Sequence, residues 1–372
     1  MDFAQTEEQS MLRETTRQFL QDQVSAEVIR TIAESDAGFD ESLWKSAAGL
    51  GWHSLAIPEE YGGAGYSFVE LSIVLEEMGR SLYPGPFLST VVMAVNAILM
   101  AGSESQKQMF LPAIASGDTL MSVAFFEGTH SVSVDDIALS ATPDGDEWIL
   151  SGTKTNVVFG HVAETVVTAV RTPGGLSLFL VSTGAEGVTT ERVDTLDVTR
   201  RQATIDFDEV RVGRGDLLGE QGSADSIIEN VARLGVVGLA LEEVGGAQWC
   251  LETAVDHAKT RYQFGRAIGS FQAVKHKCAD MLVAVEHAKS TAYHAARVVD
   301  DDEEILVAAP LAQLTCSQAF LQAAGDAIQI LGGTGFTWEH DVHFYLKRAK
   351  ADSLMFGGAR HQRRMLGDAI GL

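Results

Sequence analysis

Positive charge is scarce in this chain, and the scarcity excludes two classes of function. The 372 residues include 27 Lys and Arg against 51 Asp and Glu, which gives a formal charge of −24 at pH 7. A surface this acidic repels nucleic acid and anionic membranes, so we expect neither as a partner. An anionic ligand would require a local cluster of basic side chains.

Cysteines and long apolar runs are also few. The chain has only Cys250, Cys278 and Cys316, without a CxxC pair, which argues against a disulfide framework and a structural zinc site. The apolar stretch VVMAVNAILMAG is interrupted by Asn96 and is shorter than the ~20 residues that span a bilayer. The N-terminal MDFAQTEEQSML lacks the basic and apolar segments of a secretory signal. We therefore expect a cytoplasmic protein without a metal site.

The character of the sequence changes twice, which predicts three domains and an α+β fold. Residues 1–119 have a helical pattern, with Thr6 as an N-cap and acidic residues in the first turn. Residues 120–222 contain short runs rich in Val, Ile, Thr and Phe between turn residues, which is typical of an antiparallel β-domain. Residues 223–372 return to the helical period and predict a C-terminal four-helix bundle. The four predicted bundle helices lie at roughly 224–260, 269–299, 303–331 and 340–370.

Two stretches near the ends of these bundle helices contain groups suited to phosphate. RYQFGRAIGSFQAVKHKCADM includes Arg261 and Arg266, whose guanidinium groups can bind phosphate in a bidentate way. DAIQILGGTGFTWEHD includes Gly332 and Gly333, which can expose bare backbone N–H groups, with Gln329 one turn earlier. Taken singly, solvated arginines and an ordinary helix end explain these stretches equally well.

Together and in this order, the two stretches resemble signature motifs of the acyl-CoA dehydrogenase family, R-x-x-F-G…F-Q and Q-x-x-G-G-x-G-F. The resemblance extends to PEEYGGAGYSFVELSIVLEEMGRSL in the first predicted domain and to LSGTKTNVVFGHVAE in the second. It therefore covers nearly the whole chain. It implies an FAD flavoprotein in which the flavin lies between the sheet domain and the bundle, with its ADP half reaching into a neighbouring subunit.

The resemblance also implies which residues bind FAD. Arg261 and Phe264 would contact the pyrophosphate and the adenosine, and Gln272 would lie near the same end. The remaining three, which would hold the phosphates across the subunit interface, are Gln329, Gly332 and Gly333. The implied partners are an acyl-CoA substrate, an electron-transfer flavoprotein as electron acceptor, and further subunits in a homo- or hetero-tetramer with a second family member.

The family's reaction needs a base that this chain lacks at the usual place. A glutamate removes the α-proton of an acyl-CoA thioester while hydride passes from the β-carbon to flavin N5. In the commonest members this glutamate lies 27 residues beyond the glutamine of Q-x-x-G-G, which from Gln329 is Phe356. Other members place it on the first bundle helix, at a position that is Gly235 here. Glu242 lies seven residues further on, nearly two helical turns or ~10 Å along the axis, and is a weak candidate base.

The predicted β-domain departs from the family pattern at two places. Where the family commonly has T-E-P-x-A-G-S-D, this chain has FFEGTHSVSVDD, and where W-I-T-N follows a lysine it has NVVF. Asn156 thus replaces a tryptophan that stacks on the flavin, and Val158 replaces a hydroxyl-bearing residue. Backbone N–H groups remain as possible donors.

Three functions stay open at this point. The first is a family member without its own base, working in a hetero-oligomer whose sister chain supplies the glutamate. Such assemblies occur in the family, notably in actinobacterial steroid and lipid breakdown. The second is an enzyme with a displaced base or a different flavin reaction, such as an oxygenase. The third is a non-catalytic binding or regulatory subunit.

Overall fold

The computed structural model describes residues 6–128 and 133–372 and has the predicted order of helices, sheet and helices. The helices are α1 Glu7–Gln23, α2 Ala26–Glu34, α3 Glu41–Gly49, α4 Phe68–Arg80, α5 Val95–Ala101, α6 Glu104–Ala115, α7 Asp225–Thr260, α8 Gln272–Arg297, α9 Glu304–Leu331, α10 Gly333–Phe336, α11 Val342–Asp352 and α12 Gly358–Ala369. The strands are β1 Met121–Ala124, β2 Ser140–Asp144, β3 Glu147–Val158, β4 Thr165–Thr172, β5 Gly175–Ser182, β6 Val188–Val193, β7 Gln202–Gly213, β8 Leu217–Leu218, β9 Tyr262–Gln263 and β10 Arg266–Ala267. The predicted α+β class is confirmed.

The N-cap predicted at Thr6 is confirmed as well. The Thr6 hydroxyl accepts a hydrogen bond from the backbone N–H of Gln9 (3.1 Å), and the Gln9 side chain accepts one from the backbone N–H of Thr6 (3.1 Å). This reciprocal capping box satisfies two backbone donors that a helix start otherwise leaves without partners. Gln9 also donates to Glu70 on α4 (2.8 Å), which links α1 to α4.

The described chain divides into two compact units. The first contains the chain up to Thr31, Phe68–Tyr83 and Val236–Leu372, and the second contains Ile32–Ser67 and Pro84–Gly235. This division follows spatial packing rather than order along the chain. The domain boundaries expected near residues 120 and 223 stay a prediction.

The second unit is built on an eight-stranded sheet of order β6-β7-β3-β2-β4-β5-β8, with β1 beside β4. Most neighbouring strands are antiparallel, as the sequence predicts, but β1 and β2 run parallel to β4. Apolar side chains including Trp148, Phe179 and Phe207 form the core against the sheet. The ladder between β3 and β7 has a bulge between Lys154 and Val157, which changes the direction of the side chains there.

In the first unit, α4 and α7 cross with their backbones in contact. A Cβ atom on Gly245 would lie 1.8 Å from the carbonyl oxygen of Glu76, and one on Gly79 would lie 2.0 Å from that of Glu242. No side chain larger than hydrogen fits at either position without moving a helix. The crossing therefore depends on one glycine from each helix.

An ionic network surrounds this crossing. Glu76 on α4 is 3% exposed, pairs with Arg13 on α1 (2.8 Å) and Lys289 on α8 (2.8 Å), and accepts a hydrogen bond from the Tyr293 hydroxyl. Its neighbour Glu77 also pairs with Arg13 (2.8 Å). Burial raises the pKa of Glu76, but the charges of Lys289 and Arg13 outweigh burial and lower it. The network joins three helices that are distant in sequence.

The C-terminal helices form the predicted bundle, with one correction. Helices α7, α8 and α9 match the first three predicted segments, but the segment expected at 340–370 is two helices, α11 and α12. The chain turns at Phe356, Gly357 and Gly358, whose φ angles are 50°, 80° and 59°. An α-helix cannot continue through left-handed residues, so the prediction of one helix was wrong at this point.

Helix α9 lies in the middle of the bundle. By length and apolar composition it also qualifies as a bilayer-spanning helix, and half of its most apolar window is buried within the protein. A buried core helix meets the same criteria. The composition of α9 is therefore weak evidence for a membrane.

The crossing of α4 and α7 gives a direct test of packing. We expect Gly245→Ala to lower the free energy of unfolding by about 3 kcal/mol, because its methyl group overlaps the Glu76 carbonyl. The matched control is Gly325→Ala on α9, where a Cβ meets no atom within 4 Å, and where alanine should stabilise the helix by about 0.5–1 kcal/mol. Chemical denaturation measures the free energy of unfolding of both variants. Equal effects of the two substitutions would contradict the backbone contact of α4 with α7.

Candidate functional site

The first motif forms a tight hairpin between α7 and α8. Strands β9 and β10 pair in antiparallel register around Phe264 and Gly265, whose φ angles are 53° and 78°. Two successive residues with positive φ match a type I′ turn, which favours Asn-Gly rather than Phe-Gly. The hairpin therefore holds a bulky side chain in a conformation it rarely adopts.

Packing within the described chain does not explain the conformation of Phe264. Its side chain is 90% exposed, and its ring meets that of Phe271 only edge-on, with centroids 6.1 Å apart. A bulky residue with positive φ costs roughly 1–3 kcal/mol, and such strain is concentrated at ligand and partner sites. The strained, exposed ring is therefore a candidate contact for a ligand or a partner.

The basic residues of this hairpin are open to solvent. Arg261 directly follows α7, where its backbone N–H donates to the carbonyl of His257 (2.8 Å), and its side chain is exposed. Burial and the nearby charge of Arg261 lower the pKa of His257. The guanidinium of Arg266 lies 4.1 Å from the ring centre of Phe271, and Gln272 begins α8 with an exposed side chain. Two guanidinium groups and an amide are therefore available on this surface.

The second motif lies where α9 ends. Gly332 has φ 61° and ψ −132°, a conformation that ends the helix and directs the chain into α10. Gln329, Gly332 and Gly333 are exposed, and a Cβ atom on either glycine would meet nothing within 4 Å. Packing inside this chain thus does not require bare backbone at Gly333. Open space of this kind allows a ligand or a second chain to approach the backbone closely.

The pairing of α8 with α9 brings the two motifs to the same end of the bundle. Three contacts fix the antiparallel register: Lys277 with Asp326, Thr291 with Thr315 (2.6 Å), and the Cys316 thiol with the carbonyl of Ala288 (3.3 Å). Continued toward the start of α8, this register places Gln272 level with Gly332. Gln272 and Gly332 are 60 residues apart in sequence, but the two motifs are adjacent on one surface of the first unit.

Phe356 occupies the break between α11 and α12. Its side chain is 4% exposed, and its carbonyl accepts a hydrogen bond from the Gln362 side chain (2.8 Å). A Cβ atom on Gly357 would lie 2.5 Å from the Cβ of His361, so the turn requires glycine for space as well as for φ. The position expected from the resemblance to hold a base thus holds a buried aromatic ring.

Glu242, the alternative candidate base, lies in α7 beside the helix crossing. Its side chain is buried, and its carboxylate is 4.0 Å from the guanidinium of Arg348, a buried residue of α11. A buried carboxylate with a buried guanidinium beside it is accounted for by the fold. This geometry favours a structural ion pair over a catalytic base.

In the second unit, Asn156 occupies the bulge of β3 with φ 56°, a conformation that asparagine tolerates better than most residues. Its side-chain amide is 3.4 Å from the hydroxyl of Thr155. The side chain of Val158 is half-buried, and its carbonyl accepts a hydrogen bond from Ser122 (2.7 Å). Of the other departing stretch, FFEGTHSVSVDD, residues 129–132 lie outside the described residues.

One ion pair beside this bulge was missed by the sequence analysis. Lys154 on β3 has no exposed surface, and its ammonium pairs with Glu127 and lies 3.4 Å from the carbonyl of Phe125. Burial lowers the pKa of Lys154 to about 8, although Glu127 acts in the opposite direction. The available signal was a lysine at an inward position of an otherwise alternating strand.

Two domain models of the acyl-CoA dehydrogenase family match this chain. Residues 6–118 match the acyl-CoA dehydrogenase N-terminal domain, and residues 227–371 match the C-terminal domain. Acyl-CoA dehydrogenase IpdE2 of Mycobacterium tuberculosis is 33% identical over 97% of this chain and 96% of its own length.

Two solved structures have a similar fold over almost their full lengths. A variant of the steroid ACAD Tcur3481–Tcur3483 superposes with a TM-score of 0.89 and 31% identity, covering 98% of each chain. The ChsE4–ChsE5 complex from Mycobacterium tuberculosis superposes with a TM-score of 0.92 and 27% identity, covering 100% of this chain and 99% of the other. The likeness therefore includes both units of the chain.

The strain at Phe264 is testable without any ligand. We expect Phe264→Asn to raise the free energy of unfolding by about 1 kcal/mol, because asparagine accepts positive φ and the exposed ring contributes little packing. Thermal and chemical denaturation of the purified chain measure this change. A loss of stability would mean that the ring is held by contacts of its own.

Proposed function

Because the chain belongs to the acyl-CoA dehydrogenase family, we propose that it takes part in α,β-dehydrogenation of an acyl-CoA thioester as the subunit without a base in a hetero-oligomer. The observation that carries this proposal is the buried ring of Phe356 at the position where the family resemblance expects the glutamate. A phenyl side chain cannot accept a proton. A second family member therefore supplies the base.

The exposed end of the bundle fits the diphosphate of FAD by the chemistry of its donors. Arg261 provides a guanidinium, Gln272 and Gln329 provide amides, and Gly332 and Gly333 provide backbone with free space in front of it. These are the donors that bind phosphate oxygens in proteins. Arg261 and Arg266 also place two positive charges on this end of an otherwise acidic chain. When bound, FAD supplies the hydride acceptor.

The exposure of these residues supports an assembly rather than a lone subunit. A diphosphate held only on an open surface competes with water for each donor and is screened by salt. A neighbouring subunit covering the surface would remove water and strengthen each charge-assisted contact. The strained ring of Phe264 then acquires a place to pack. The similar ChsE4–ChsE5 structure is itself a complex of two chains.

Within the proposed complex, this chain binds and orients while its partner removes the proton. The interpretation of Glu242 as a displaced base is disfavoured by the neighbouring guanidinium of Arg348. The likeness to a steroid ACAD makes acyl-CoA esters with a steroid nucleus the first substrates to test. We propose an electron-transfer flavoprotein as the electron acceptor and a cytoplasmic location.

Exchange of the substrate α-protons tests whether the partner, rather than this chain, supplies the base. A positioned base accelerates proton abstraction by ~10²–10⁴, so the isolated chain should not exchange the α-protons of acyl-CoA esters with deuterium at a useful rate. The complex with a partner that carries the glutamate should exchange and turn over. Mass spectrometry of the recovered ester measures exchange, and the partner with its glutamate changed to glutamine is the control.

Rapid exchange by the chain alone would contradict the proposal. Loss of that exchange in Glu242→Gln would then identify Glu242 as the base. Purification of the chain alone and with the partner, with flavin absorbance and subunit mass recorded, establishes which species is being assayed.

The cofactor site is tested at Arg261. We expect Arg261→Ala to weaken flavin binding by about 2 kcal/mol, roughly 30-fold, through loss of a charge-assisted contact. Arg261→Lys should also be impaired, because an ammonium lacks the planar fork of donors. The matched control is Arg211→Ala, an exposed arginine on β7 that pairs with Asp144 and Glu147. Flavin fluorescence during equilibrium dialysis measures binding.

Flavin affinity unchanged by Arg261→Ala would remove this residue from the site. The flavin released on denaturing the complex should be FAD, since the proposed contacts lie on the ADP half. Release of FMN would contradict the cofactor assignment.

A further inference from the structure

The loop after β1 lies along β3 in the second unit. The backbone N–H of Thr155 donates to the carbonyl of Phe126 (3.1 Å), and the N–H of Gly128 donates to the hydroxyl of Thr155 (2.9 Å). Phe125–Gly128 is the described beginning of one stretch at which the chain departs from the family pattern. The bulge of Asn156, next along β3, belongs to the other such stretch, which the resemblance places at the flavin. Their backbones are therefore joined at Thr155.

Glu127 is the group to which these segments connect. Its carboxylate pairs with the ammonium of Lys154 and accepts the backbone N–H groups of Ala138 (2.7 Å) and Leu139 (2.9 Å). A single carboxylate therefore joins the loop after β1, the middle of β3 and the residues that lead into β2. Its donors include one full positive charge that is buried.

Stability alone does not explain a lysine at this position. An ammonium in a protein interior loses its hydration, and an apolar side chain of similar length fills such a space without that cost. Lys154 nevertheless lies fully buried between the sheet and the loop. The charge of Lys154 orients its neighbours, because Glu127 and the carbonyl of Phe125 must both point toward the ammonium.

We propose that Lys154 is a positioning residue that, through Glu127, holds the loop Phe125–Gly128 and the bulge of β3 in one fixed arrangement for the flavin ring. The inference rests on the proposed function. With Asn156 and Val158 in place of the family's aromatic and hydroxyl side chains, main-chain groups of these two segments carry the contacts to the ring. Main-chain groups are effective only if the backbone is held in place.

The test compares two lysines of the second unit in the flavin-loaded complex. Lys154→Met is expected to raise the flavin dissociation constant by about tenfold or more, and to shift the visible absorption band of bound flavin. Lys45→Met, which breaks the exposed pair of Lys45 with Asp118, should change neither. Circular dichroism checks that both variants are folded. A folded Lys154→Met complex with unchanged affinity and spectrum would overturn the proposal.

A measurement on the unmutated complex covers the case in which Lys154→Met does not fold. With a folded pKa of about 8 against an ordinary value of 10.5, Lys154 loses its charge in the native protein between those values while the unfolded chain keeps its proton. The contribution of Lys154 to the free energy of unfolding therefore increases as pH rises through that range. If Lys154 is only structural, flavin affinity should stay constant or improve as pH rises. If Lys154 is a positioning residue, flavin affinity should fall above about pH 8.

Few other charges face the ammonium. On the neighbouring strand, Asp206 is exposed and bonded to Thr153 (2.6 Å), and in the turn before β2 both Asp135 and Asp136 are exposed. Among the described residues, Glu127 is thus the acidic group that contacts Lys154.

The outcomes separate this inference from the proposed function. Flavin affinity that falls above about pH 8 in the unmutated complex and stays level in Lys154→Met supports positioning by Lys154. Affinity that is level with pH in both and equal in the two complexes overturns it, while the complex still binds flavin as proposed. A complex of native chains that binds no flavin at any pH refutes the proposed function, and the inference with it.

Discussion

The first unit depends on the contact of α4 with α7 through Gly79 and Gly245. Because the helices touch at their backbones, the acidic residues beside the crossing point into the interior, where each charge needs a partner. Glu76 obtains Arg13 and Lys289, and Glu242 obtains Arg348. These ion pairs bring α1, α8 and α11 to the same region. The crossing thus lies among the ion pairs that join these helices, and Glu242 already has a partner in the fold before any catalytic role is considered.

Strained backbone occurs at several positions that the sequence analysis singled out. Positive φ is found at Asn156, Phe264 and Phe356, as well as at Leu82, Phe159 and Glu209. At Phe356 the strain is offset by burial of the ring and by the hydrogen bond from Gln362. At Phe264 the ring is exposed, and no comparable burial offsets the strain. The first conformation is explained by the fold, whereas the second is the one that we propose a ligand or a partner stabilises.

The sequence predicted the features that depend on local signals. The α+β order, the cap at Thr6 and the first three bundle helices follow from periodicity and capping residues. The break at Phe356 was missed because SLMF continues the apolar pattern up to two glycines that need not end a helix. The burial of Lys154 and the contact of Gly245 with Glu76 depend on residues far away in sequence, which periodicity cannot locate. The adjacency of Gln272 and Gly332 required the register of α8 on α9.

The distribution of the candidate groups is compatible with the proposed role of a subunit without a base. The donors suited to a diphosphate lie on an exposed end of the bundle, whereas the position expected for the base lies at the buried break between α11 and α12. A substitution at the break leaves the exposed donors unchanged, because Phe356 is held by local turn geometry and by Gln362 rather than by Arg261 or Gly332. The donors proposed for the cofactor and the position expected for the base therefore belong to different parts of the bundle. In the proposed assembly of unlike subunits, the same fold would provide binding groups in one chain and the reactive carboxylate in the other.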